Sequence, residues 1–174
     1  MVRQIISIFL FLICFSANAQ QYLAKDGTIS FFSKAPVEDI SAINNKVSAV
    51  YDAKTKALAF RLNITDFIFP KSLMQTHFNE NYLESDIYPK STFVGKVTEN
   101  KNGIANVEGK LTIHGETNFI NVVGNLLVHE NTVYISAVKF IVKLEDYKIK
   151  IPRIVMYNIA KEIEIKVNIK LQKQ

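Results

Sequence analysis

Alternation of apolar and polar residues dominates the chain. It is cleanest near the C-terminus, where "EIEIKVNIKLQK" sets Ile163, Ile165, Val167, Ile169 and Leu171 on one face. Glu162, Glu164, Lys166, Asn168 and Lys170 fall on the other. Successive strand side chains point to opposite sides of a sheet, so this period of two predicts a strand with one dry and one wet face. The same pattern gives Leu58, Phe60, Leu62 and Ile64 in "ALAFRLNI", Val107, Leu111 and Ile113 in "ANVEGKLTIHG", and Phe93 and Val97 in "STFVGKV". "TISFFSK", "NNKVSAVYD", "NFINVVGNLLV" and "TVYISAVKFIVKL" read as strands with a less distinct phase. About eight strands at such spacing predict an all-β sandwich or barrel.

The turns agree with that reading. Asn102-Gly103 predicts a two-residue hairpin, because a type I′ turn needs positive φ at both central residues. "YDAKTKA", "HGET" and "HENT" punctuate other strand pairs. Gly95, Gly109 and Gly124 lie inside strand patterns, where glycine marks a bulge, a corner or a close backbone approach.

One stretch breaks the alternation. In "LMQTHFNENYLESDIYPK", Met74, Phe78 and Tyr82 recur every four residues and share one face of a helix. Ser72 and Gln75 have the spacing of a capping box, Pro70 lies just upstream, and Asp86 and Pro89 mark the exit. A helix, interrupted near Asn79–Asn81, is therefore expected between the third and fourth strands. His77, Glu80 and Glu84 fall together on its other side. As a metal or catalytic centre they would make half of a carboxylate-rich cluster, with the remaining ligands supplied from elsewhere. His114 and His129 stand alone beside hairpin turns, so a solvated face is the simpler reading.

The first residues are a targeting signal by composition. Arg3, the apolar run "IISIFLFLICF" and the small residues Ala17 and Ala19 describe a secretory signal peptide cut after Ala19, leaving a single domain over residues 20–174. The run is too short to span a bilayer as a helix. Phe11 and Ile13 are too bulky for a lipoprotein signal ahead of Cys14. Cleavage removes Cys14, the one cysteine, so the exported chain has no disulfide, thiol nucleophile or thiolate ligand. The net charge of +5 falls by one with Arg3, and the basic residues are scattered singly, which predicts no nucleic-acid partner. No nucleophile elbow or phosphate-binding glycine loop occurs, and Glu38-Asp39 and Glu145-Asp146 read as turn residues. Asn63-Ile64-Thr65 matches a glycosylation sequon inside a predicted strand.

"LMQTHFNENYLESDIYPKSTFVGKV", "VEGKLTIHGETNFI" and "FIVKLEDYKIKIP", in that order, resemble the YceI-like family from about Tyr22 to Leu171. The resemblance implies an exported, eight-stranded antiparallel, lipocalin-like barrel that binds polyisoprenoid or similar amphiphiles inside. Two positions depart from it. Asn118 follows "GET" where many members carry a basic residue, and "DYKI" replaces a turn with glycine at its third place.

A barrel of this size either fills its interior with side chains or holds one small ligand. Burying ~15 hydrocarbon carbons at ~0.8 kcal/mol each contributes about 12 kcal/mol before association costs, so apolar walls suffice without a polar motif. The expected lining is Leu58, Phe60, Leu62, Phe93, Val107, Leu111, Ile113, Phe140, Val142, Ile163, Ile165 and Val167, with Met74, Phe78 and Tyr82 at the mouth. The leading expectation is a non-enzymatic carrier or scavenger of an isoprenoid, quinone or fatty amphiphile, with no cofactor, no metal and no stable membrane insertion. A homodimer stays open. Two alternatives remain: an enzyme or metal protein centred on His77, Glu80 and Glu84, and an outer-membrane barrel. "KLQKQ" at the C-terminus, lacking a terminal aromatic, counts against the second.

Overall fold

The computed structural model describes residues 20–34, 39–151 and 161–174; the predicted signal peptide, Glu38 and Pro152 lie outside them. Eight strands close into an antiparallel barrel in sequence order. They are β1 (Gln21–Ser33), β2 (Ile40–Asp52), β3 (Ala57–Asn63), β4 (Lys90–Lys101), β5 (Ile104–Ile113), β6 (Glu116–Val128), β7 (Thr132–Lys143) and β8 (Glu162–Lys173). β1 and β8 make the closure, with Phe31 opposite Ile165. The eight-stranded antiparallel barrel expected from the sequence is the fold observed.

Tight turns keep neighbours adjacent. Asn102 and Gly103 take φ of 52° and 85° between β4 and β5, and His114 and Gly115 take 50° and 76° between β5 and β6. Those values are the positive φ pair of a type I′ turn, whose twist matches the strands it joins. Gly95 and Gly109 face each other across β4 and β5. A Cβ on either would lie 2.5–2.6 Å from the Phe93 ring, so the glycines make room for that ring.

The barrel has two unlike ends. At the end of the β4–β5 turn, Val47, Val97, Val133 and Leu171 are fully buried and fill the interior. At the other end sits the insert between β3 and β4. It comprises a 3-10 turn (Ile64–Asp66), helix α1 (Ser72–His77) and a π-helical turn (Phe78–Tyr82). The expected interruption near Asn79–Asn81 is this widened turn. The capping box does not form: Lys71 occupies the cap position, and no side chain caps the helix. Gln75 Oε1 instead accepts a hydrogen bond from the Phe69 amide at 3.4 Å, anchoring the chain just before the helix. The sequon is also only partly in a strand. Asn63 ends β3, while Ile64 and Thr65 belong to the 3-10 turn.

Two seams of the barrel are short. β5 and β6 pair at ten positions, whereas β2–β3 and β6–β7 each pair at four. β3 is a short strand, so it runs out before β2 does. β7 is long, but it bulges between Ile135 and Val138, with Ala137 at φ 53°. An extra residue in one strand bends it and ends pairing locally. Beyond the bulge β7 follows β8 up to Lys143–Glu162, β6 follows β5 up to Glu116–Ile113, and no described residue pairs them.

A candidate ligand-binding cavity

The inward faces of the strands enclose a cavity of about 170 Å³. All twelve residues expected to line a barrel interior stand on its wall: Leu58, Phe60 and Leu62 from β3, Phe93 from β4, Val107, Leu111 and Ile113 from β5, Phe140 and Val142 from β7, and Ile163, Ile165 and Val167 from β8. Alternation brought them there, because inward residues of a barrel recur every second position. Polar residues at the wall are Arg61, Ser91, Thr92 and Asn125. Ser91 Oγ is already committed, donating to the Thr112 carbonyl at 2.8 Å.

The wall has a further part that alternation alone did not pick out. Ile29 and Phe31 come from β1, Ile120, Val122 and Leu126 from β6, and Leu83 from the insert. On β6 the outer face is apolar too, through Phe119, Val123 and Leu127. With both faces apolar the pattern carries no phase. The available signal was that doubly apolar strand itself, unusual for a sheet with a wet outer side.

Of the three expected mouth residues, Phe78 lines the cavity, while Met74 and Tyr82 are half-buried against the core without reaching it. Phe78 stacks on Phe31 at 5.5 Å and meets Phe67 and Phe69 at 5.5 and 4.9 Å, closing this end with rings. Burial pushes the Tyr82 phenol above its ordinary range.

His77, Glu80 and Glu84 do not come together as a centre. His77 and Glu80 are exposed, and among the described residues no three His, Cys, Asp or Glu side chains are placed to hold a metal. Glu84 turns the other way. Its Oε2 lies 2.7 Å from His114 Nε2, and His114 Nδ1 lies 3.2 Å from the Tyr147 carbonyl. Tyr88 packs on the same imidazole at 4.4 Å between ring centres. This group ties the insert to the β5–β6 turn and to the 3-10 turn Leu144–Tyr147. The sequence concealed it because its members are far apart along the chain.

The two departures from the family pattern meet beside it. Asn118 Nδ2 donates to the Asp146 carbonyl at 2.6 Å, so it fastens the 3-10 turn onto β6. Burial raises the Tyr147 phenol, partly offset by a hydrogen bond from Asn118. Lys148 stands where glycine was expected and adopts φ 52°, the left-handed backbone that explains the glycine. Its ammonium reaches Glu116 at 2.7 Å, and that hydrogen bond raises its pKa.

The outward faces carry Lys96, Lys110, Lys139 and Lys170 over an apolar interior. An outer-membrane barrel has the reverse arrangement, apolar outside and polar within.

Comparison with known proteins places the chain among barrels of this kind. A family model described as YceI-like domain matches residues 21–171. The chain is similar to the crystal structure of Burkholderia cenocepacia BcnA, with TM-score 0.73 and 18% identity over 83% of this chain and 95% of that one. It is similar to a polyisoprenoid binding domain from Saccharophagus degradans, with TM-score 0.75 and 11% identity over 90% and 99%. A Campylobacter jejuni YceI protein aligns with TM-score 0.61 and 19% identity over 75% and 82%. No curated protein sequence matches.

Proposed function

The chain belongs to the YceI-like family, and from that premise we propose that it binds a long apolar amphiphile inside the barrel without performing chemistry on it. The ligand class is a polyisoprenoid, a quinone or a fatty-acid derivative. The protein carries or sequesters it in the periplasm or outside the cell, after cleavage near Ala19. The observation that carries the reading is the cavity, closed at one end by packed aliphatic residues and walled by hydrocarbon. The Saccharophagus degradans neighbour, a polyisoprenoid binding domain, supports the ligand class. One barrel supplies the whole wall, so the reading needs no homodimer.

Size sharpens the proposal. Apolar cavities of ~150 Å³ stay dry and take up a molecule such as benzene. A cavity of about 170 Å³ therefore holds a ring or a short branched segment, and a longer chain requires side chains to move or part of the ligand to project.

The test is protein purified without delipidation, extracted and examined by mass spectrometry, together with binding of a fluorescent polyprenyl probe. An extractable apolar lipid and saturable probe binding are expected. Leu111→Trp, which fills the cavity, should weaken the probe by about tenfold or more, and Val107→Phe serves if the larger change disturbs folding. An empty barrel that also ignores the probe would remove the proposal. His77→Ala should leave binding unchanged and reveal no lost turnover.

A further inference from the structure

We propose that the unpaired length of the β6–β7 seam is the route by which the apolar ligand passes between the cavity and a lipid bilayer, and that the barrel docks on the bilayer by the outer face beside this seam. The inference rests on the binding reading above and names its partner surface.

Three observations converge. The cavity wall includes both banks of the seam, Ile120 and Val122 from β6 and Val138 and Phe140 from β7. Pairing stops at Asn125–Ser136, and above that point no described residue joins the strands into a ladder. On the outer side of the same banks Phe119 is 67% exposed, Val123 55% and Ile141 54%, set among Asn121, Lys139 and Lys143. Exposed apolar side chains on both banks of this ladder-free stretch, where Val138 packs on Gly124, suit insertion among acyl chains at the headgroup boundary.

The charges beside the patch point to the same surface. Lys110 lies opposite Phe119, and Lys139, Lys143 and Lys166 flank Ile141. Against them stand Glu108, which accepts from Asn121 and keeps its charge, Glu162 opposite Lys143, and Glu164 beside Lys166 and Lys139, so four cations face three anions. Lysines bordering an apolar patch favour a bilayer containing anionic lipid. The ligand's chemistry also selects the bilayer over a second copy of the chain. A long apolar amphiphile is scarce in free water, so its donor is a lipid phase. A second barrel adding a strand at this seam would shut the passage instead.

The measurement is transfer of the fluorescent polyprenyl probe from vesicles to the full-length protein, against equilibrium binding of the same probe delivered from cyclodextrin. Vesicles are phosphatidylcholine, with or without phosphatidylglycerol. Phe119→Asp and Ile141→Asp should each slow vesicle transfer by roughly tenfold or more, the scale of withdrawing such a side chain from lipid. Binding from cyclodextrin should stay unchanged, and phosphatidylglycerol should speed transfer to the unaltered protein. Leu73→Asp, on an equally exposed apolar residue of the insert, should leave transfer unchanged. Transfer insensitive to the seam variants, or sensitive to Leu73→Asp instead, overturns the proposal. So does a loss that appears equally from cyclodextrin, or self-association that disappears in the seam variants while transfer persists. Absence of probe binding by either route defeats the binding reading, and this inference with it.

Discussion

The β2–β3 and β6–β7 seams both pair at four positions, yet among the described residues returning backbone covers only the first. Where β3 runs out, the chain turns back along β2. Ile43 and Ile68 exchange backbone hydrogen bonds at 3.1 and 2.8 Å. Asn44, fully buried, donates to the Asn63 carbonyl at 3.0 Å and accepts from the Lys46 amide at 2.9 Å. Lys46 pairs with Asp66 at 3.0 Å, and Phe67 and Phe69 pack edge-on against Phe31. At β6–β7 the strands are long enough, but β7 bulges against β8 at Ala137, and the ladder with β6 stops at Asn125–Ser136 with Val138 packed on Gly124 just above it. Asn118 donates to the Asp146 carbonyl at the far end. A missing ladder is thus no weakness by itself. What differs is whether side chains and returning backbone replace the lost hydrogen bonds.

The largest expected contrast is between aromatic residues of the two seams. Phe67→Ala should cost about 3–5 kcal/mol in denaturant unfolding, because it empties a buried site. Phe119→Ala should change stability by no more than about 0.5 kcal/mol. Equal costs would erase the distinction between a seam covered by returning backbone and one that is not.

Asn44→Ala comes next, at about 1–3 kcal/mol, since it leaves a buried carbonyl and an amide without their partner. Hydrogen exchange should show the loss first in β2 and the Ile64–Phe69 segment.

Ala137→Gly tests the β6–β7 seam from the opposite direction. Left-handed backbone costs a residue with a Cβ ~1–2 kcal/mol, and glycine's freer unfolded chain returns part of that. A net gain of about 0.5–1 kcal/mol is expected at the melting midpoint, with the unpaired stretch between β6 and β7 unchanged. A loss instead would mean that the bulge is held by something other than local geometry.

The smallest effect concerns acid. A hydrogen bond from Asn63, then Lys46, holds the Asp66 carboxyl below its ordinary value of 3.8. A folded pKa below the unfolded one contributes stability that is fully present above pH 3.8 and is lost as pH falls through the depressed value. Asp66→Asn should therefore cost up to about 1 kcal/mol at neutral pH, and its stability should converge with that of the unaltered protein at low pH. Parallel pH profiles would show that the ionised carboxylate does not help to clasp this seam.

Legibility followed the solvent. β8, β3 and β5 have one wet face, so their inward residues, from Ile163 to Leu111, were readable from alternation. β6 was not, because Phe119 and Val123 outside are as apolar as Ile120 and Val122 inside. The helix of the insert was readable from the spacing of Met74, Phe78 and Tyr82, but its cap was not, since Gln75 is spent on Phe69. Glu84 and His114 could be named as polar residues, though not as partners, because their contact is made by closing the barrel.

Local pattern determined the strands, most inward residues, the tight turns at Asn102-Gly103 and His114-Gly115, and a helix between the third and fourth strands. These depend on neighbours two to four residues away, which a linear chain displays directly. Tertiary structure decided which short ladder is covered, which face of β6 looks inward, how much of the interior stays empty, and where Glu84 finds its partner. Each of those depends on the angle at which distant strands meet, and that angle is set only when the sheet closes on itself.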